Sequence, residues 1–147
     1  MGDLPSAILF ACTSNAVRSP MAEGLMKRLF GTRVFVDSVG VKAGVPDGFM
    51  MAAMEEEGID MTRHKPKTFE QLEDTSYDLV ISLSPEAQHK AVELTRTMAC
   101  TVEYWPTFDC TVVEGSREVR LEAYRKVRDD LKQRLIKRFA QPRMADL

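Results

Sequence analysis

Six consecutive apolar residues, Ala7-Ile8-Leu9-Phe10-Ala11-Cys12, stand near the start of this chain. A strand with one face in water alternates apolar and polar side chains, and a strand covered on both faces does not. The run therefore predicts a buried strand in a parallel sheet with helices on either side. The sequence that follows alternates accordingly. Met21 to Phe30 reads as a helix, with Met21, Leu25, Met26, Leu29 and Phe30 at helical spacing and Pro20 in the first turn, where a missing N–H costs nothing. Arg33 to Ser38 reads as a second strand around Val34-Phe35-Val36. After a loop from Val39 to Pro46, a helix is expected over Gly48 to Glu57, closed by Gly58, and a short one over Thr68 to Glu73.

Asp78 to Leu83 is the third expected strand and Thr101 to Trp105 the fourth. Between them Pro85 to Arg96 reads as a helix, with Ser84 as its N-cap and Pro85 at its first position. A last helix is expected from Arg117 to Phe139, capped by Ser116 and striped by Leu121, Tyr124, Val127, Leu131 and Leu135. Strands alternating with helices argue for an α/β sandwich around a parallel sheet. In such sheets ligands bind beyond the carboxyl ends of the strands. Cys12 stands at one such end and Thr107 to Cys110 follows another, so the fold is expected to bring the two together.

At 147 residues the chain is expected to form one domain, residues 1–147, large enough to bury a core. Its 44% hydrophobic and 29% charged residues are those of an ordinary soluble protein, and a net charge of -2 offers no nucleic-acid face. No apolar run approaches the roughly 20 residues of a membrane span, and no signal-peptide pattern is visible. Met1-Gly2-Asp3-Leu4-Pro5-Ser6 matches the short myristoylation pattern, but a strand starts almost at once behind it. Three cysteines, an odd number without CxxC spacing, argue against a disulfide framework or a zinc site. They suit a cytoplasmic protein with a working thiol. No nucleic-acid or membrane partner is expected.

The chemistry concentrates in Cys12-Thr13-Ser14-Asn15-Ala16-Val17-Arg18-Ser19-Pro20. A cysteine six positions before an arginine is weak evidence by itself, because such pairs arise by chance, and a strand-end cysteine is often a small buried hydrophobe. Position changes its weight. The segment joins a strand to a helix, and a helix N-terminus offers unpaired N–H groups and a partial positive charge to an anion. Such surroundings favour a thiolate. Arg18 can grip two oxygens of a phosphate, Ser19 can donate its hydroxyl to the sulfur, and Asn15 tolerates the left-handed backbone of a tight anion loop.

The stretch from Ile8 through Cys12, Arg18, Ser19 and Pro20 to Leu25 resembles the N-terminal signature of the low-molecular-weight protein tyrosine phosphatases, whose superfamily also holds thioredoxin-linked arsenate reductases. Asp37-Ser38-Val39-Gly40 is similar to the family's segment after the second strand. Gly58-Ile59-Asp60 with His64 resembles its middle loop, and Asp109 falls where the family carries its general acid. The resemblance implies a three-layer sandwich with a four-stranded parallel sheet in the order 2-1-3-4 and helices on both faces. It implies catalysis by Cys12, Arg18 and Asp109 through a cysteinyl-phosphate, with Thr13, Ser14, Asn15, Ala16, Val17, Arg18 and Ser19 around the phosphate. Asn15, Ser19 and Ser38 would support the loop. No metal or cofactor is implied. The substrate would be a phosphorylated protein or a small phosphoester, with inorganic phosphate as product, and the chain a monomer or weak dimer. His64 is expected to be structural and His89 to face solvent.

The chain departs from the family at four places. Ser14 replaces a glycine, and Val17 stands where many members have a second cysteine. The usual Asp-Pro is Asp109-Cys110, followed by Thr111, Val112 and Val113 in place of the aromatics that wall a phosphotyrosine ring; Phe108, Trp105 or Phe49 are candidates for a substitute wall. The Leu79 to Thr95 region lacks the two cysteines of the relaying arsenate reductases. Against this, Trp105-x-x-x-Asp109 and Gly115-Ser116-Arg117-Glu118 lean toward the arsenate reductases. A thiol-dependent arsenate reductase served by an external thiol, and a phosphate sensor without turnover, are therefore the alternatives to a phosphomonoester hydrolase. Cys110 can be read as a partner for Cys12 under oxidation, or more simply as a small residue in place of proline.

Overall fold

The structure, a computed structural model, describes residues 4–73 and 76–140. Met1, Gly2 and Asp3, and with them the myristoylation pattern, lie outside the described residues. Four parallel strands, β1 (Ala7–Cys12), β2 (Phe35–Gly40), β3 (Leu79–Ser82) and β4 (Thr101–Tyr104), form one sheet in the order β2-β1-β3-β4. Four helices cover it: α1 (Arg18–Phe30), α2 (Gly48–Glu55), α3 (Pro85–Leu94) and α4 (Arg117–Phe139). Every residue of β1 is buried, as an apolar run between two layers requires. Its alternate side chains go to opposite faces. Ile8 and Phe10 join the core under α1, α2 and α4, while Leu9 and Ala11 join the core with Ala87 and Ala91 of α3. Among the described residues no helix is long and apolar enough to cross a membrane.

Element boundaries differ from the sequence reading where hydrogen bonds decide them. Arg33 does not begin β2, because its N–H closes the end of α1 on the Phe30 carbonyl at 2.9 Å. The strand instead runs on to Gly40, opposite Cys12. The helix expected over Thr68 to Glu73 is a single 3-10 turn, Phe69–Gln71. Helix α1 starts three residues earlier than expected, so Arg18 and Ser19 are its first residues and Pro20 sits within its opening turn. Ser84 and Ser116 cap α3 and α4 by accepting from Ala87 N and Val119 N, as read from the sequence. Helix α2 closes on Gly58, φ +74°, with the Ile59 N–H on the Met54 carbonyl and the Gly58 N–H on the Glu55 carbonyl.

Candidate active site

The segment 13–17 turns from the carboxyl end of β1 into the N-terminus of α1. Its shape is fixed by neighbours on both sides. The carbonyls of Cys12, Thr13 and Ser14 accept from the N–H groups of Val41, Lys42 and Gly44 at 3.1, 2.9 and 2.8 Å. The N–H groups of Thr13 to Val17 meet no protein acceptor among the described residues. This is the arrangement of an anion cradle: carbonyls turned to protein, amides left for a ligand. The 41–44 segment can lie this close because residue 40 is glycine. A Cβ there would stand 2.7 Å from Asn15 N and 2.5 Å from the Lys42 carbonyl oxygen.

Asn15 is the only non-glycine described residue with positive φ, at 52°, and it is fully buried. Its amide nitrogen donates to Ser19 Oγ and Ser38 Oγ, both at 2.9 Å, and its Oδ1 accepts from Lys67 N at 2.9 Å. Ser38 donates in turn to Glu23 Oε1 at 2.5 Å. His64 Nε2 lies 2.8 Å from the Asn15 carbonyl oxygen, in the structural role expected of it, and His89 is 81% exposed. Asn15 and Ser19 were expected both to surround the phosphate and to support its loop. Their side chains do only the second, because these bonds hold them behind the cavity wall.

Cys12 is almost fully buried. Its sulfur lies 2.9 Å from Ser19 Oγ and 3.4 Å from Ser19 N, at the start of α1. Thr13, Ser14, Ala16, Val17 and Arg18 line, with Cys12, a cavity of about 560 Å³. Arg18 Nη1 donates to the Thr107 carbonyl at 3.1 Å and so ties the loop to the segment after β4. That segment delivers Asp109 to the same cavity. The Oδ1 of Asp109 accepts from Thr111 N and Oγ1 at 3.0 and 2.6 Å, and Oδ2 takes neither bond. A thiol, a guanidinium and a carboxyl thus converge from three points of the sequence. In chemical terms they supply a nucleophile, a clamp for oxygen anions and a proton donor.

The rest of the cavity is made by Thr111, which stands where the family carries a wall aromatic, and by residues the sequence reading did not single out: Lys42, Gly44, Val45, Asp47 and Glu86. The strand-end rule that pointed to Cys12 and Asp109 also covers the residues after β2 and β3, so these positions were within its reach. None of the three aromatics considered for a substitute wall lines the cavity. Phe49 packs on Tyr124, Trp105 donates to Glu103 at 3.1 Å, and Phe108 faces a separate groove with Val113 and Val119. Cys110 also turns away. It is 1% exposed in the core, and burial, aided by the carboxylates of Asp109 and Asp47, pushes its thiol up to about 12. Among the described residues no group of three or more His, Cys, Asp or Glu side chains could hold a metal ion.

Residues 7–144 match the sequence pattern of the low molecular weight phosphotyrosine protein phosphatases. The chain belongs to that family. It is 34% identical to an arsenate reductase of Bacillus licheniformis over 134 residues, 91% of this chain and 94% of that one. A low molecular weight protein tyrosine phosphatase of T. tengcongensis shares its fold at a TM-score of 0.74 and 26% identity, covering 91% and 97% of the two chains. The YwlE arginine phosphatase, in a form with a phosphorylated active-site serine, superposes at a TM-score of 0.70 and 27% identity over 88% and 90%. The chain is therefore similar both to phosphatases and to an arsenate reductase.

Proposed function

We propose that this protein is a phosphomonoester hydrolase, acting on a phosphorylated protein with phosphotyrosine as the leading candidate, through a cysteinyl-phosphate. The observation that carries the reading is the convergence of Cys12, Arg18 and Asp109 on one cavity above the N-terminus of α1. The Cys12 thiolate attacks phosphorus, an S–P bond forms and the ester P–O bond breaks. Arg18 and the loop N–H groups hold the equatorial oxygens as charge redistributes, so the step needs no metal. Asp109 gives its proton to the leaving oxygen. Its carboxylate then takes a proton from the water that attacks phosphorus, the S–P bond breaks and inorganic phosphate leaves. A free thiol nucleophile works in a reducing compartment, and the proposed location is the cytoplasm.

A second reading, arsenate reduction, is favoured by the similarity to the Bacillus licheniformis protein. The Cys12 thiolate would displace an oxygen of protonated arsenate as water to form an S–As bond, and an external thiol would then attack the Cys12 sulfur, breaking that bond with its electron pair going to arsenic. The two sulfurs leave as a disulfide and the two electrons reduce arsenate to arsenite. Phosphoester hydrolysis is preferred because Asp109, on the same cavity as Cys12, has a defined task in it as proton donor to the leaving oxygen. Hydrolysis of p-nitrophenyl phosphate by the wild type and by Cys12→Ser, Arg18→Ala and Asp109→Asn tests the choice. The first two variants are expected to be inactive and the third strongly impaired. Activity surviving in Cys12→Ser would sink the mechanism. No phosphoester turnover, with arsenate-dependent oxidation of an added thiol, would establish the second reading.

A further inference from the structure

Charge is distributed unevenly around the cavity. The cavity lining carries three carboxyl groups, Asp47, Glu86 and Asp109, against the Arg18 guanidinium beside Cys12 and one ammonium, Lys42. Beyond Asp47 lies a surface of opposite sign. The Tyr124 hydroxyl of α4 donates to Asp47 Oδ2 at 2.9 Å, and its ring packs on Phe49 of α2 with centroids 5.4 Å apart. Two guanidiniums stand over Phe49, that of Arg120 at 4.7 Å from the ring centroid and that of Arg117 at 5.5 Å.

These two arginines differ from the others on α4. Arg125, Arg128, Arg134 and Arg138 are each paired with a carboxylate. Arg117 and Arg120 are exposed, and among the described residues neither pairs with one. Their i, i+3 spacing puts both on one face of the helix. A guanidinium resting on an aromatic face is already partly ordered and keeps its N–H edge for a carboxylate. A guanidinium also receives carboxylates in a forked, two-bond geometry.

We propose that the shelf formed by Arg117, Phe49 and Arg120 docks an acidic segment of a protein substrate next to its phosphorylated residue, an inference that rests on the phosphatase reading above. Asp47 of the cavity lining accepts from the Tyr124 hydroxyl and Phe49 packs on the Tyr124 ring, so the shelf is joined to the cavity through these two residues. An extended peptide whose phosphoryl group reaches Cys12 can cross it within a few residues. The carboxyl groups of the lining and the basic shelf together orient such a peptide: Asp47 and Glu86 repel its carboxylates and the arginines collect them.

The test uses phosphotyrosyl peptides that are identical except for paired Glu, Gln or Lys residues beside the phosphotyrosine, placed before it or after it. For the wild type, kcat/KM is expected to be about tenfold higher with Glu than with Gln on the favoured side, as two exposed charge pairs give, and the preference should shrink with added salt. In the Arg117→Gln/Arg120→Gln variant the ratio should approach one. Fluorescence anisotropy with the Cys12→Ser protein reads the same preference as binding, without turnover. Selective binding of the Glu peptide with no hydrolysis of any phosphoester by the wild type would keep the shelf and remove the phosphatase reading. Hydrolysis of p-nitrophenyl phosphate with no preference for Glu, with a preference for Lys, or with a preference that survives in the double variant would overturn the shelf alone.

Discussion

Ser19 Oγ lies 2.9 Å from Cys12 Sγ and receives the Asn15 amide at the same distance. The serine oxygen accepts the Asn15 amide and keeps its own hydroxyl proton, for which the sulfur at 2.9 Å is nearer than the Val39 carbonyl at 3.3 Å. Ser19→Ala removes that donor and leaves the helix start in place. A hydrogen bond to a charged group contributes about 1.5–3 kcal/mol, so Cys12 alkylation by iodoacetamide near neutral pH and kcat on p-nitrophenyl phosphate should both fall about 10- to 100-fold. An unchanged alkylation rate would show that the hydroxyl does not hold the thiolate.

Asn15 has two separable tasks, its positive φ and its three side-chain bonds. Asn15→Gly keeps the backbone and loses the amide, stranding Ser19, Ser38 and the Lys67 N–H inside the protein. Asn15→Ala adds the cost of a left-handed alanine. Urea unfolding should show about 2–3 kcal/mol lost for Gly and about 1 kcal/mol more for Ala. Equal losses would mean that the backbone conformation is unstrained.

What the sequence made legible follows from how local each signal is. Ala7 to Cys12 carried its strand and the position of the thiol in one apolar run, and the serine caps of α3 and α4 were readable three residues at a time. Asp109 was placed by a family position, and the structure brings it to the cavity of Cys12. The supports of the loop were partly hidden. Ser38 was foreseen, but Glu23 and Lys67 reach Asn15 and Ser38 from distant elements, and no spacing in the chain announces such contacts. The cavity walls were hidden too. Phe49, Trp105 and Phe108 are aromatics near the right strand ends, yet each is drawn away by a better partner or faces another groove.

Arg18 joins the cradle to Thr107, two residues before Asp109, so its fork has a positioning task beside its charge. Arg18→Lys keeps the charge and cannot grip two oxygens while holding the carbonyl. A fall of about 10²–10³ in kcat/KM is expected, with little change in melting temperature. Asp109→Asn should discriminate by leaving group. The loss should be larger on phenyl phosphate than on p-nitrophenyl phosphate, because a nitrophenolate departs without help. Equal losses on both esters would remove Asp109 from the acid role.

Cys110 is buried, turned from the cavity, and its thiol is pushed up to about 12 by burial and by the carboxylates of Asp109 and Asp47. In the folded protein it should resist alkylation at pH 8 while Cys12 reacts. Peroxide treatment followed by peptide mass mapping is expected to show oxidation at Cys12 and no peptide linked to Cys110. Recovery of such a linked peptide, with activity restored by reductant, would instead make Cys110 a protective partner of Cys12.

Glu103, at the edge strand β4, ties the sheet to α4. It receives the Arg138 guanidinium at 2.8 Å and the Trp105 indole N–H at 3.1 Å, and the arginine above all holds its carboxyl below the ordinary value of 4.5. A carboxyl lowered in the folded state binds fewer protons there than in the unfolded chain at the same acidic pH. Its contribution to stability is therefore complete above the unfolded value and is lost as pH falls through the folded one. The pair is partly exposed to solvent, so the contribution is about 1 kcal/mol or less. Glu103→Gln should lower the urea midpoint at pH 7. The gap from wild type should narrow below pH 4.5, as the wild-type carboxyl takes up its proton and loses the ion pair that the variant never had. A gap that is constant from pH 7 to pH 3 would mean that the glutamate acts through packing and its hydrogen bonds alone.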